Sequence, residues 1–519
     1  MANLFKQSRK KNASLKKQSE VKRANANAQV AGLRFTKKSA GKPNDNEQPN
    51  TSTSYLALDV GSTTTVTIDS LDWMGQGVTR GKTTFFVQGA LPGETCDVEV
   101  LSLKKNVAQA KALRVITAEN EHRTTPFCPV FNECGGCQLQ HIEPEAALSL
   151  RDSALCDMMM HQLDMPLSAW QAPLSGERPQ YRRKARLAID ARNSDNIKLG
   201  FRAAGSNKVV NIQQCPILAA PLSALPGLLN KCLSGFESAR HIGHISLIAP
   251  DPHTYTQETE TNRLASKVAP LVTIKHTKSL EPALINAVKK AASEHAFSVV
   301  FEDKKGTMRS LFDATRETQS TNVLPEVRVN TIDGFWLTPS ANDFVQVNKV
   351  VNEKMIRQAL HWLNVQSDER VADWFSGLGN FTLPLANAVT KTGAQVQAIE
   401  GVAEMVQRAK ANALAQGINN VDWLHLDLSD EANVQRSLEG GFHKVLLDPS
   451  REGALTVCHA LVKAMPKAIV YVSCNPSTFA RDAKVLLDGG YAIEKAGAVE
   501  MFPFTHHMEM MALFTVKPQ

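Results

Sequence analysis

The sequence predicts an α/β protein whose C-terminal part is a doubly wound, Rossmann-like domain. The length of 519 residues exceeds what a single hydrophobic core organises, which predicts two or three domains. In the last third of the chain, short apolar runs end at polar residues and are followed by helix starts, as in parallel sheets covered by helices. Nearer the N-terminus, short strands separated by Gly-containing turns predict a small β-barrel.

These signals divide the chain into four segments. We expect a basic tail at residues 1–53, an OB-like barrel at 54–118, a central α+β domain at 119–330 and the doubly wound domain at 331–519. Residues 219–330 carry few motifs, and the sequence assigns them no task.

The tail concentrates the positive charge of the chain. Its first 42 residues hold twelve Lys and Arg and one acid, Glu20, a charge of +11, so the rest of the chain sums to −4 of the net +7. Its polar composition cannot bury a core, and we expect disorder. Two roles stay open: a solubilising tail, or a non-specific grip on nucleic-acid phosphates.

The barrel prediction depends on strands at residues 62–68, 82–87 and 95–100. A small barrel of this kind suits oligonucleotide binding. Farther along, a basic run from Tyr181 to Arg186 is flanked by Arg178. It predicts either an RNA-binding patch on which Tyr181 stacks on a base, or a solvated strand face.

A Gly-rich turn between two predicted strands indicates a nucleotide site. Asp373 lies at the edge of the first strand, Gly377 and Gly379 form the turn, and Glu400 ends the next strand. An acid about 20 residues after such a turn binds ribose hydroxyls. Both a dinucleotide and S-adenosylmethionine fit. The third Gly of a dinucleotide site is missing, which favours S-adenosylmethionine.

Further predicted strands end at polar residues on the same rim. They end at Asp427, at Asp448 and at Cys474, the last being followed by Asn475-Pro476. We expect Ser477 and Thr478 to cap a helix that begins near Phe479. A thiol beside a helix N-terminus and near Arg481 is placed to titrate as a thiolate.

The chain has nine cysteines, which is an odd number. It shows neither a signal peptide nor an apolar run long enough to span a membrane. These observations predict a cytoplasmic protein without disulfides. Three of the cysteines, Cys128, Cys134 and Cys137, share one Gly-rich loop, and Cys215-Pro216 lies far downstream. The pattern favours an iron–sulfur cluster, with a four-thiolate zinc site as the alternative.

Four motifs resemble those of the RNA uracil-C5 methyltransferases. They lie at Asp373 to Phe381, Asp448 to Arg451, Val472 to Asp482 and Phe502 to Glu509, and the resemblance covers residues 54–519. Phe504 stands where this family often has a polar residue. The resemblance implies that part of residues 146–178, where Ala146 to Gln162 has helical periodicity, packs on the catalytic domain.

The resemblance implies a covalent reaction that uses S-adenosyl-L-methionine. Cys474 would add to C6 of uracil, which makes C5 nucleophilic, and Glu509 would then remove the C5 proton. The resemblance also implies six residues that contact the cofactor, namely Gln346, Phe375, Asn380, Glu400, Asp427 and Asp448.

Two further features point to the ribosomal-RNA branch of the family. Members of this branch carry a 4Fe–4S cluster, whose ligands here would be Cys128, Cys134, Cys137 and Cys215. The segments at residues 75–78 and 86–94 resemble a TRAM domain. Barrel and cluster together imply 23S ribosomal RNA as the partner, presenting a flipped uracil from a single-stranded loop to a monomeric enzyme without a membrane partner.

Two alternatives remain at this point. One is a transfer-RNA uracil-C5 methyltransferase, which the barrel and the cysteine loop oppose. The other is a non-catalytic RNA-binding assembly factor, which the presence of both Cys474 and Glu509 opposes.

Overall fold

The computed structural model describes residues 58–117, 120–252, 268–316, 319–366, 369–390 and 395–518. The basic tail predicted at residues 1–53 lies outside these ranges. Residues 59–519 form one compact unit. No helix within the described ranges is both long and apolar enough to cross a membrane.

A six-stranded sheet occupies the N-terminal part of this unit, with the strand order β1-β5-β6-β4-β3-β2. Its strands are β1 (Thr63–Thr67), β2 (Ser70–Leu71), β3 (Gly77–Thr79), β4 (Thr84–Gln88), β5 (Thr95–Lys104) and β6 (Val107–Val115). Three of them lie where the sequence predicts strands. The sequence analysis missed β6, whose central position in the sheet is filled by small residues such as Ala108 and Ala110 that give a weak strand signal.

A seven-stranded sheet follows, with the order β13-β12-β11-β10-β7-β8-β9. Its strands are β7 (Lys184–Asp190), β8 (Lys198–Arg202), β9 (Val209–Asn211), β10 (Ile242–Ile248), β11 (Leu271–His276), β12 (Ser298–Glu302) and β13 (Met308–Phe312). Helices α2 (Ala220–Ser223), α3 (Leu225–Leu233) and α4 (Pro282–Glu294) accompany it, whereas α1 (Pro144–Leu163) precedes it in the chain. The apolar faces of α3 and α4 contribute Leu229 and Val288 to one core with this sheet.

The C-terminal sheet has seven strands in the order β18-β17-β16-β19-β20-β22-β21. After the short hairpin β14 (Val329–Asn330) and β15 (Trp336–Leu337), its strands are β16 (Val371–Trp374), β17 (Val396–Glu400), β18 (Val421–His425), β19 (Lys444–Leu447), β20 (Ala468–Ser473), β21 (Tyr491–Val499) and β22 (Glu509–Val516). The first five strands of the spatial order are parallel, and β22 runs antiparallel to both of its neighbours.

Six helices connect these strands. They are α5 (Lys349–Leu363), α6 (Thr382–Thr390), α7 (Ala403–Ala415), α8 (Glu431–Ser437), α9 (Leu455–Ala464) and α10 (Pro476–Asp488). Strand order reverses at β16, which lies between β17 and β19. In open α/β sheets, ligands bind beyond the carboxyl ends of the strands at such a point.

Helix α1 packs on the C-terminal sheet although it lies far upstream in the chain. It contacts α10 and β21, and its fully buried Leu155 and Met159 join the core that contains Phe479. Burying each of these two side chains stabilises the fold by roughly 1.5–3 kcal/mol. The periodicity from Ala146 to Gln162 therefore corresponds to a helix. The helix begins two residues earlier than this periodicity, with Pro144 and Glu145 in its first turn.

Candidate active site and cysteine pocket

Cys474 follows directly on β20, whose six residues are all buried. Its side chain is half-buried at the carboxyl end of the sheet. Helix α10 begins at Pro476, three residues earlier than the sequence analysis predicts, and Asn475 caps it by accepting a hydrogen bond from the Ser477 N–H at 3.2 Å. The prediction was wrong because Pro is favoured in the first helical turn and Asn is itself a strong cap.

Glu509 begins β22, the antiparallel neighbour of β20. The last residue pair of this ladder joins Ser473 to Met510, so one further step along both strands brings Cys474 opposite Glu509. Glu509 is 4% exposed, which contradicts a surface position for this carboxylate. The sheet register thus brings together two residues that lie 35 positions apart in the sequence.

The charges around these two residues favour their neutral forms. The pKa of the Cys474 thiol is raised to about 11, first by burial and then by the neighbouring carboxyls of Glu509 and Asp448, whereas Arg451 opposes this shift. Burial, followed by Asp448, raises the pKa of Glu509 to about 8. The predicted thiolate is therefore wrong for the ligand-free chain.

Arg481 does not supply the positive charge that the sequence analysis expected beside the thiol. Its guanidinium pairs with the buried Asp482 at 2.8 Å and donates to the Glu452 carbonyl. The cation near Cys474 is Arg451, from the loop after β19, which also contacts the His507 ring at 3.1 Å.

The Gly-rich turn lies at the carboxyl end of β16. Gly377 and Gly379 have φ values of +57° and +94°, which L side chains rarely adopt, and Phe375 reaches +68°. The Gly377 N–H donates to the Glu400 carboxylate at 3.0 Å, which holds the turn against the end of β17. Asp373 lies inside β16 and not at its edge, is fully buried, and accepts a hydrogen bond from the Thr382 hydroxyl.

The remaining predicted contact residues lie on several segments. Asn380 directly follows the turn, and its side chain exchanges two hydrogen bonds of 2.9 Å with that of Asn352. Gln346 is buried, and its Oε1 has no hydrogen-bond partner among the described residues. Asp427 is exposed two residues after β18, where hydrogen bonds from Ser429 lower its pKa.

Unpartnered polar atoms at this rim fit a polar, cationic ligand. Besides Gln346, the buried Asp373 Oδ1 and Ser376 Oγ lack partners among the described residues. The pKa values of Asp373 and Asp448 are both raised to about 7, mainly by burial. The Glu400 carboxyl adds to the shift of Asp373, and the Asp373 carboxyl adds to that of Asp448. A positively charged ligand would favour the ionised forms of these carboxyls, and the sulfonium of S-adenosylmethionine has that charge.

The four cysteines predicted as metal ligands line one apolar pocket. Its cavity volume is about 20 Å³, and its lining includes Cys128, Cys134, Cys137 and Cys215. Burial raises the pKa of Cys137 to about 12 and also raises that of Cys134 and Cys215, with neighbouring cysteines adding to the effect. Across the described ranges, no three His, Cys, Asp or Glu side chains are grouped closely enough to hold a single metal ion.

The basic run predicted as an RNA-binding patch is largely internal. Tyr181 is buried and donates its hydroxyl to the Pro503 carbonyl at 3.2 Å, so it cannot stack on a base. Arg183 is buried in an ion pair with Asp251 at 2.9 Å and donates to the Gln346 carbonyl. The prediction was wrong for Tyr181 and Arg183, because sequence alone does not show which distant carboxylates and carbonyls partner these side chains, whereas Arg186 is exposed.

Two family models match the chain. The model described as tRNA (Uracil-5-)-methyltransferase matches residues 320–517, and the model described as TRAM domain matches residues 58–113. The first match covers the C-terminal sheet, and the second covers most of the N-terminal sheet. The chain therefore combines an S-adenosylmethionine-dependent methyltransferase fold with a TRAM domain in a mixed α/β architecture.

Curated relatives match along the whole chain. The 23S rRNA (uracil(1939)-C(5))-methyltransferase RlmD of Alteromonas mediterranea is 60% identical over 524 aligned positions, covering 100% of both chains. The protein of the same name from Shewanella sediminis is 39% identical and covers 87% of this chain and 95% of its own. Among solved structures, the Pyrococcus abyssi tRNA (uracil-54, C5)-methyltransferase in complex with S-adenosyl-L-homocysteine has a TM-score of 0.61 at 21% identity, covering 87% of this chain and 100% of its own. This last likeness concerns the fold.

Proposed function

The chain belongs to the RlmD family of 23S rRNA uracil-C5 methyltransferases, and from this premise we propose how it acts. It transfers a methyl group from S-adenosyl-L-methionine to C5 of a uracil in 23S ribosomal RNA and forms 5-methyluridine. The position given in its relatives' names, uracil 1939, is the expected target. The observation that supports the mechanism is that Cys474 and Glu509 lie directly beyond Ser473 and Met510, the last residue pair of the β20–β22 ladder at the carboxyl end of the sheet.

The chemistry requires both residues. C5 of uracil is a poor nucleophile, and addition of the Cys474 thiolate at C6 gives C5 the electron density of an enolate carbon. S-adenosyl-L-methionine supplies the methyl group that this carbon takes. Glu509 then accepts the C5 proton, the electrons of the C5–H bond restore the C5–C6 double bond, and the C6–S bond breaks to release Cys474 as a thiolate.

The buried carboxyls explain how a neutral thiol becomes reactive. Asp448 raises the pKa of both Cys474 and Glu509 in the ligand-free chain. A cation beside Asp448 offsets that negative charge and lowers both pKa values, so cofactor binding prepares the nucleophile and the base together. We assign cofactor contacts to Gln346, Phe375, Asn380, Glu400, Asp427 and Asp448.

The cysteine pocket suits a 4Fe–4S cluster. Thiolates at Cys128, Cys134, Cys137 and Cys215 would hold it, and binding would offset the burial that now raises the pKa of three of these thiols. All four cysteines line the same pocket, and this shared position is what supports the cluster.

Ribosomal RNA is favoured over transfer RNA by the relatives' identity along the full chain, since those proteins carry the 23S rRNA name. Stacked uracil cannot present C6 to Cys474, so we expect the base to be flipped from a loop at a cost of a few kcal/mol. We place the enzyme in the cytoplasm as a monomer.

The test is mass mapping of 5-methyluridine in 23S and transfer RNA from cells with and without this protein. We expect one 23S uridine to lose its methyl group in the deletion strain and to regain it when the wild-type gene is restored. A loss of 5-methyluridine confined to transfer RNA would show that transfer RNA, and not 23S rRNA, is the substrate. An unchanged map in both RNAs would support the non-catalytic alternative.

A further inference from the structure

The segment just before Glu509 is held by contacts from distant parts of the chain. We name residues Phe502–Met508 the base loop. Within it, Phe504 has a φ of +65°, a left-handed conformation that a non-Gly residue maintains only when its surroundings hold it. Its ring is buried against Phe127 with ring centroids 5.1 Å apart.

Gln138, which directly follows Cys137, connects the cysteine loop to the base loop. The backbone N–H groups of Gln138 and Leu139 both donate to the Phe504 carbonyl, at 2.8 and 3.0 Å. The side-chain Oε1 of Gln138 accepts a hydrogen bond from the His506 N–H at 3.3 Å. Its Nε2 donates to the Gly135 carbonyl at 2.7 Å.

One amide side chain therefore bonds to both loops at once. Gly135 lies between Cys134 and Cys137, whereas His506 lies three residues before Glu509. The Glu509 backbone is paired with Val499 in the β21–β22 ladder, and the base loop joins the chain directly before it, so a shift of the base loop acts on Glu509 at the very end of this ladder.

We propose that Gln138 is a positioning residue through which the cysteine loop places the Glu509 carboxylate for removal of the C5 proton. This inference depends on the proposed function and assigns the cysteine loop a task within that reaction. Displacing a catalytic group by about 1 Å costs roughly 10²-fold in rate, which sets the scale of the expected effect.

Other contacts to the base loop come from different elements and leave Gln138 with a separate role. The Tyr181 hydroxyl donates to Pro503, the His506 ring contacts the Met74 carbonyl at 2.7 Å, and Arg151 donates to the His507 carbonyl at 3.1 Å. These contacts keep the loop in place as a whole. Phe127 and Gln138 flank the loop that bears three of the four cysteines, and of these two side chains Gln138 is the one that joins it to the base loop by hydrogen bonds.

The test replaces Gln138 by Ala in the full-length protein, purified anaerobically with its iron. We expect the kcat for RNA methylation to fall by roughly 10- to 100-fold, with the KM for RNA and for S-adenosylmethionine within about twofold of the wild type. Because proton removal follows methyl transfer, the methylated Cys474–RNA adduct should accumulate and be visible on a denaturing gel. A merely structural role would not produce this adduct.

Three further variants complete the design. Gln138→Glu keeps an acceptor for the His506 N–H and should recover most of the turnover without adduct. Gln138→Met keeps the side-chain length without either hydrogen bond, and it replaces the Ala variant, with the same expected result, should that variant fail to fold. Gln366→Ala serves as the control. The Gln366 side chain is exposed and donates to the nearby Asn364 carbonyl, while its backbone N–H donates to the Glu369 carboxylate and is kept in the variant.

Turnover equal to the wild type without adduct in the Ala and Met variants would overturn the inference. A fall in bound iron or in RNA affinity that accounts for the lost activity would overturn it too, since Gln138 would then act through the cluster or through binding. If the wild-type protein itself forms no 5-methyluridine, the proposed function fails instead, and the two failures are thereby distinguished.

Discussion

Cys474 and Glu509 are both placed in surroundings that favour their uncharged forms until a ligand arrives. The thiol has a pKa of about 11 and the carboxyl a pKa of about 8, each raised first by burial. A resting enzyme with a neutral thiol is protected from oxidation, because the thiolate is the reactive form. Under the proposed function, a cation beside Asp448 would offset one of the two carboxyl charges that raise the pKa of the thiol.

Replacing Cys474 by Ala should abolish methylation while leaving cofactor binding nearly intact. The thiol is required for attack on C6, whereas it is not among the predicted cofactor contacts. Calorimetric titration with S-adenosylmethionine should give a Kd within about threefold of the wild type, and labelled-methyl transfer should be undetectable. Appreciable turnover of the variant would rule out the covalent route.

The release of a preformed methylated adduct should depend on pH through Glu509. Once the methyl group has been transferred, the positive charge of the sulfonium is gone, so the pKa of Glu509 returns to the value of about 8 that burial and Asp448 set, and below it the protonated carboxyl cannot accept the C5 proton. The single-turnover release rate should therefore increase about tenfold per pH unit up to that value and level off above it. A release rate independent of pH across this range would exclude Glu509 as the base.

At the scale of elements, Asp482 stabilises the unit formed by β20, Cys474 and α10. This fully buried carboxylate accepts hydrogen bonds from the Ala454 N–H at 2.6 Å and from the Tyr471 hydroxyl at 2.8 Å. It thus connects α10 to the strand that carries the nucleophile and to the start of α9.

Replacing Asp482 by Ala should lower the free energy of unfolding by about 2–4 kcal/mol, because two buried donors lose their acceptor. Chemical denaturation measures the change. Asp488→Ala, at the exposed end of the same helix, is the matched control and should stay within about 0.5 kcal/mol of the wild type. Equal stability of the two variants would show that Asp482 does not hold this unit.

The cysteine loop is a second element with its own test. Anaerobically purified protein should be brown and contain about four irons per chain. Replacing Cys215, the one distant ligand, by Ser should reduce the iron content, whereas Cys232→Ser, outside the pocket, should not. A colourless protein with one tightly bound zinc ion would favour the structural-zinc alternative.

Elements with strong local signals could be predicted from the sequence, and contacts between distant segments could not. The apolar runs before Asp448 and Cys474 are strands as predicted, because buried parallel strands need continuous apolar residues. The start of α10 was predicted too late, because Asn475, Ser477 and Thr478 can each cap a helix and the sequence does not show which of them does. The base loop and the burial of Tyr181 depend on partners far along the chain, which local patterns do not encode.

At the scale of the whole molecule, the base loop beside the proposed catalytic residues receives contacts from several distant parts of the chain. The TRAM domain reaches the base loop through Met74, the cysteine loop reaches it through Gln138, and β20 carries Cys474 beside it. RNA bound to any of these parts of the chain would therefore lie next to elements that contact the base loop. The basic tail's part in RNA binding stays a prediction, since it lies outside the described residues.

The trapped complex of a Glu509→Gln variant tests the central claim most directly. Its Cys474 can still add to C6 and C5 can still be methylated, but no carboxylate remains to accept the C5 proton. Mixed with 23S rRNA and S-adenosylmethionine, this variant should form a protein–RNA complex that survives denaturation and carries one added methyl group by mass. The Cys474→Ala, Glu509→Gln double variant should form none. Normal turnover of the single variant without a surviving complex would contradict the covalent mechanism and the role of Glu509.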